Sequence, residues 1–316
     1  MKLPVILILI IKLAVFCSFG QETKVVQDGT LNQLEEKYQN LKDSLTRTYV
    51  FVPAVSSVML TKNQLEVYLI SSILTANKYR DDNGDLNRSN FKSMYLYNTM
   101  QINYGLSKEA RWNIGMDINM IRARIDDDRN SSLFKVFSSE VDGNSRTATA
   151  ITSIGPRLRF NPFQNNRSFN IQSSILFPVP YSEDKETILG QNQVFFNNMF
   201  LYNQPLAERI FLFSQLGIQY GFKKENVSAK FFPSATGYLS YFIPKRTILF
   251  ALISYTPLFM KENSWNYSAS SLQTGGGIQY QISKSLLVNA YYSTNIAGTN
   301  FQDFSSYNIS VRYVYN

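Results

Sequence analysis

Residues 305–316 read SSYNISVRYVYN. Taken in twos, one side carries Tyr307, Ile309, Val311, Tyr313 and Tyr315, and the other carries Asn308, Ser310, Arg312 and Val314. Chain ends fray unless something ties them down. This one keeps a two-faced strand pattern, edged with aromatic rings, almost to its last residue, so a partner strand is expected along its whole length.

The same period-two pattern recurs upstream. It marks strands over 64–76, 92–105, 111–124, 147–160, 168–180, 192–203, 209–222, 229–242, 247–259, 266–282, 285–296 and 304–315, twelve with the terminal one. In RWNIGMDINM, Trp112, Ile114, Met116, Ile118 and Met120 oppose Asn113, Gly115, Asp117 and Asn119. In SFNIQSSILF, Phe169, Ile171, Ile175 and Phe177 oppose Asn170, Gln172 and Ser174. Alternation alone does not say which face is outside, because a soluble sandwich alternates too.

Connection lengths do say. LSKEA, NPFQNNR, NQPLAER, IPKR and SK are short links that alternate with longer polar ones, NKYRDDNGDLNRSN, IDDDRNSSLFKVFSSEVDGNSR and YSEDKETILGQ. Tight turns on one side and free loops on the other are the habit of an up-and-down barrel crossing a membrane. The expected fold is all-β and transmembrane, a 12-stranded antiparallel up-and-down β-barrel, with a short N-terminal helix ahead of it. An even strand number puts both termini at the tight-turn end. The oily face should meet lipid and the hydrophilic face should line the lumen. Tyr95, Tyr97, Tyr202, Tyr220, Tyr241 and Tyr280 fall near segment ends, where a ring bridges tails and headgroups.

The N-terminus places the chain outside the cytoplasm. MKLPVILILIIKLAVFCSFGQ has a basic start, an apolar run from Leu3 to Ile11, and small residues at Ser18 and Gly20 before Gln21, which reads as a secretory signal peptide over 1–20. With it removed, the only Cys, Cys17, is gone, and the chain has no His at all. That excludes a disulfide framework, Cys or His metal sites and Ser-His or Cys-His nucleophiles. The formal charge of +8 loses Lys2 and Lys12, leaving about +6 scattered along the chain, which argues against nucleic acid.

Together these features resemble a Gram-negative outer-membrane β-barrel protein, porin-like, in an Asn-, Tyr- and Phe-rich style similar to barrels of the Bacteroidota. The resemblance spans 64–316 and is architectural. It implies outer-membrane lipid as solvent and both termini in the periplasm. It also implies that the barrel assembly machinery recognises the last strand, through Tyr307, Ile309, Val311, Tyr313 and Tyr315. Asn316 stands where that signal usually ends in an aromatic residue.

Residues 21–63 form a separate periplasmic segment in this reading. Within it, TLNQLEEKYQNLKDSLT (30–46) sets Leu31, Leu34, Tyr38, Leu41 and Leu45 on one helical face. Thr30 and Gln33 form a capping box. The face suits docking on the barrel or a protein partner better than plugging the lumen.

Several polar groups are candidates for function. Glu66 and Arg312 lie on the first and last strands and should pair at the barrel seam. Arg111, Arg157 and Arg159, with Asp117 along the same wall, share the inward parity of adjacent strands. They are selectivity candidates or, equally, stabilisers of turns or partners of Asp117. The acidic stretches Asp81, Asp82, Asp85 and Asp126–Asp128 lack the spacing of a calcium loop and read as solvated acidic loops, so no metal and no cofactor is expected. Twelve strands leave a lumen narrower than that of open porins. The leading expectation is a narrow passive pore for small solutes or ions. The alternative is a non-conducting accessory barrel that uses its helix and outer loops, and no enzymatic activity is expected.

Overall fold

The computed structural model describes residues 58–139, 145–163, 168–190, 192–224, 227–243 and 246–315. The expected signal peptide and the expected helix of about 30–46, with its Leu31, Leu34, Tyr38, Leu41 and Leu45 face, lie outside these residues. The strands are β1 (Leu65–Arg80), β2 (Leu86–Gly105), β3 (Trp112–Asp126), β4 (Arg146–Phe160), β5 (Phe169–Pro178), β6 (Phe195–Ala207) and β7 (Ile210–Gly221). They continue with β8 (Ala229–Ile243), β9 (Thr247–Lys261), β10 (Trp265–Gln281), β11 (Leu286–Thr299), β12 (Phe301–Gln302) and β13 (Ser305–Tyr315). Each of β1 to β10 pairs antiparallel with its successor, and β11 pairs with β13. The short β12 and the long β13 both pair with β1, as two pieces of one stave.

The barrel is therefore closed with twelve staves. Leu65 pairs with Tyr315 on one side and Tyr104 on the other. The terminal strand holds its pattern because β1 takes up its backbone groups, each of which would cost several kcal/mol if left open to hydrocarbon. Both ends of the barrel sequence emerge at the same rim, called here the terminal end.

The outer surface is oily. Leu216, Leu239, Ile253 and Ile309 are all more than half exposed, an arrangement a water-soluble chain avoids over so wide a belt. Rings edge the belt on both sides. Trp112 stacks on Phe160 at 5.0 Å near the terminal end. At the far end, Trp265 stands edge-on to Tyr220 and Phe231 at 6.0 and 6.1 Å.

Two expectations about the connections are corrected. The polar stretch 77–90 is mostly strand, because β1 runs to Arg80 and β2 starts at Leu86. The remaining turn is held by Asp81, whose carboxylate accepts from the N–H groups of Asn83 (3.0 Å) and Asp85 (2.9 Å). A strand that projects past the oily belt meets water, so polarity there does not signal a loop. The link 203–209 likewise shrinks, since β6 continues to Ala207.

The division of faces also needs correction. Near the far end, Leu74, Tyr95, Ile121 and Ile125 point inward and are buried, while Arg122 and Arg124 of β3 take the outward parity. The β3–β4 connection folds back over that outer wall. Its 3-10 turn, Leu133–Phe137, packs Val136 against Met94, Leu96 and Ile73. The carbonyl of Ser138 accepts from Arg122 Nη2 at 2.6 Å, and Asp126 lies 3.6 Å from both Arg124 and Lys135. Asp126 is thus paired and buried rather than part of a solvated acidic loop.

The Gly275–Gly277 run is a close-packing site. A Cβ on Gly277 would lie 2.3 Å from Tyr291 Cβ and 2.8 Å from Phe250 Cζ. Gly277→Ala is therefore expected to cost about 1–3 kcal/mol of barrel stability, read as a lower urea midpoint in lipid or detergent.

Candidate functional site: the barrel lumen

Alternation decides what the lumen contains. The residues of β1 that pair inward with β2 and β13 are Glu66, Tyr68, Ile70, Ser72 and Leu74, so the wall changes from charged to apolar along a single strand. Around the terminal half, the inner wall of β1 to β5 is polar and buried, with Glu66, Gln101, Asn103, Asn113, Asp117 and Gln172 among its residues.

The charges of this half are brought into partnership. Glu66 and Arg312 form an ion pair across the seam, and Asn103 Nδ2 donates to the free oxygen of Glu66 at 3.0 Å. Asp117 and Arg157 meet through two contacts, 2.5 Å from Nη2 and 3.1 Å from Nε. Both are almost wholly buried. A paired carboxylate and guanidinium present little net charge to a passing ion.

Arg111 and Arg159 act differently from this pair. Arg111 stands at the start of β3 and donates to the carbonyls of Asn161 and Pro162 in the β4–β5 turn, at 3.4 and 3.3 Å. Arg159, 1% exposed, grips the amide oxygen of Gln172 with two N–H groups, at 3.0 and 2.8 Å. Its third contact, at 3.1 Å, is to the carbonyl of Val58.

That last contact shows where the chain ahead of β1 runs. Leu60 is 1% exposed, and its N–H points at Asn113 Oδ1, 3.4 Å away. The carbonyl of Thr61 comes so close to Gly105 that a Cβ there would lie 1.9 Å from it. Residues 58–61 thus form a strap across the terminal rim, held by the inward groups Asn113 and Arg159. Across the lumen, Phe213, Tyr238, Phe250, Leu252 and Tyr291 form an apolar patch from β7, β8, β9 and β11.

The far half is mainly apolar. Leu74, Tyr95, Ile121, Ile125, Ala148 and Phe304 make one cluster, and Leu176, Phe195, Phe232, Leu258 and Ala269 make another. A short helix, α1 (Glu183–Leu189), drops into the first cluster with Leu189, which is 1% exposed. Its helical turn is closed by Gly190 at φ 61°, whose N–H donates to the carbonyl of Glu186. Three acidic residues in the first turn, Glu183, Asp184 and Glu186, suit the positive end of its dipole. A recess of about 30 Å³ is lined by Asn197, Met199, Gln215, Gly217, Phe232 and Ser234, among others. It has room for a water or two.

These features define a narrow lumen, polar in its terminal half and mainly apolar in its far half, restricted at both ends, inside a closed and oily-surfaced barrel. The fold is that of an outer-membrane β-barrel. Structures of that type match it in shape. All of an outer membrane channel from Pseudomonas putida F1 aligns with 84% of this chain at TM-score 0.62 and 12% identity. All of the β domain of the Bordetella autotransporter BrkA aligns with 80% of it at TM-score 0.53 and 10% identity. At such identities the likeness carries the barrel fold alone. No family model and no curated protein sequence matches the chain.

Sequence reasoning missed three parts of the site. The first is α1, whose signal was Ile188 and Leu189 in an otherwise polar link. The second is the strap, whose contacts are backbone groups and leave no side-chain pattern. The third is Lys230, which alternates with Phe232, Ser234, Thr236 and Tyr238 on the inward parity of β8 and could have been placed by counting. Among the described residues, no three His, Cys, Asp or Glu side chains converge as metal ligands.

Proposed function

We propose that this protein is an outer-membrane channel for small polar solutes, with its terminal end in the periplasm and a lumen that rests in a restricted state. One observation carries the reading. On the inner wall the buried side-chain oxygens of Gln101, Asn197, Gln215, Gln273, Asn289 and Asn308 have no hydrogen-bond partner among the described residues. Each such group costs about 1–3 kcal/mol when it stays dry. A barrel filled only for strength would have replaced them with apolar side chains. Water or a hydrated solute in the lumen would satisfy them.

Outer-membrane lipid, the assembly machinery and small solutes or ions are the partners this reading needs. Tyr307 and Ile309 of the last strand face outward and are exposed, where both lipid and an assembly factor can reach them. Catalysis has no place in the reading, since a chain without His lacks the usual base for hydrolysis.

The apolar far half favours the second reading, a non-conducting accessory barrel. Planar-bilayer recording of the purified protein separates the two. Discrete unitary steps are expected for the channel, small because the lumen is narrow. A protein that inserts and stays silent across ±150 mV, a range of about 3.5 kcal/mol per unit charge on either side, would retire the channel in favour of the accessory barrel.

A further inference from the structure

The connection between β3 and β4 is fastened to the outside of the barrel. Lys92 and Arg122 take the outward parity of β2 and β3, and both hold it there. Lys92 Nζ donates to the carbonyl of Ser131, and Arg122 Nη2 donates to that of Ser138. Asn77 Nδ2 adds a bond to the carbonyl of Arg129 at 3.2 Å.

The 3-10 turn Leu133–Phe137 then sorts its side chains. With three residues per turn, positions three apart eclipse one another. Leu133 and Val136 share one side, and Val136 is fully buried against Met94, Leu96 and Ile73. Phe134 and Phe137 share another, and they are 67% and 46% exposed. Lys135, between them in sequence, reaches back to Asp126 at 3.6 Å. The turn thus presents two phenyl rings away from the wall to which its other side is fixed.

Height along the wall says what meets them. The outward row of β3 runs Trp112, Ile114, Met116, Ile118, Met120 and then Arg122, ten residues beyond the aromatic edge at Trp112. A strand tilted by about 40° climbs about 2.5 Å per residue, so an oily band about 25 Å tall ends near Arg122. Leu96 pairs with both Arg122 and Ile73, which puts the patch under Val136 at the same level. The rings therefore project where hydrocarbon gives way to headgroups, the depth that aromatic side chains favour. Their oily surface continues that of the belt below, so one solvent serves both.

We infer that the β3–β4 turn is an interfacial anchor, whose Phe134 and Phe137 insert among the acyl chains of the leaflet at the far rim and fix the height at which the barrel sits. The inference needs the membrane setting but not conduction, so it stands or falls apart from the channel reading.

Site-specific quenching in phospholipid vesicles tests it. Trp112→Phe with Trp265→Phe removes both tryptophans of the chain, and Phe134→Trp or Phe137→Trp then sets a single reporter on the turn. Bromine atoms high on the acyl chains should quench each reporter several-fold more than one at Asn83→Trp, on the exposed β1–β2 turn. Aqueous iodide should show the opposite order. Iodide quenching equal to that at Asn83→Trp means rings in water and overturns the anchor. Shielding from both quenchers means that a second copy of the chain covers the rings, which overturns it as well. If the tryptophan-free background does not fold, a nitroxide on Phe137→Cys decides, because the only native cysteine, Cys17, lies in the expected signal peptide. Oxygen should reach that nitroxide more readily than a water-soluble nickel chelate does, and the reverse overturns the anchor.

Discussion

Arg312→Ala is expected to lower barrel stability by about 3 kcal/mol, the cost of leaving one member of a buried ion pair without its partner. Glu66 would be the stranded group. It is completely buried, and without Arg312 its carboxylate keeps, among the described residues, the side-chain amide of Asn103 as hydrogen-bond donor and the more distant charge of Arg159. The position magnifies the effect, because β1 and β13 form the seam where the barrel closes and no covalent link lies alongside. The measurement is reversible urea unfolding in lipid vesicles. Glu66→Gln combined with Arg312→Met should cost much less than Arg312→Ala, because no charge remains buried alone. A double variant as unstable as the single one would mean that the pair's charge is not what matters at the seam.

Replacing α1, residues 183–189, with a Gly-Ser linker should raise unitary conductance several-fold. The helix fills the far mouth through Leu189, packed with Leu74, Ile121, Ala148 and Phe304, and it belongs to a connection rather than to the wall. Barrel stability should fall by about 2–5 kcal/mol for the lost packing of Leu189, while every strand pairing is kept. The terminal strap is the second restriction, so adding Arg159→Ala, which frees the carbonyl of Val58, should raise conductance further. Unchanged currents in both variants would place the limiting constriction elsewhere in the lumen.

Much of this architecture was legible from residue order. A strand shows alternate side chains to opposite solvents, so period two marks both its existence and its faces, and the twelve segments fall close to the twelve staves. The pairing of Glu66 with Arg312 followed from the same logic. Closure makes the first and last strands neighbours, and parity turns both side chains inward. The common inward parity of Asp117 and Arg157 was equally readable, as were a pairing with Asp117 and a braced turn among the alternatives, though not which arginine would take which, nor that Arg159 would seize the strap.

What failed was reading polarity as a sign of solvent. The stretch 77–90 is polar yet strand, because the hairpin stands above the lipid. Leu74 and Ile121 are apolar yet inward, because α1 gives them something oily to pack on. The order of residues by itself determined the number of strands, their faces and the closing pair, since alternation and connection length are local properties of the chain. Only the tertiary structure decided what fills the lumen. The strap, the helix in the far mouth and the burial of Lys230 arise from groups distant in sequence that meet when the sheet rolls shut, and no local pattern encodes which of them will touch.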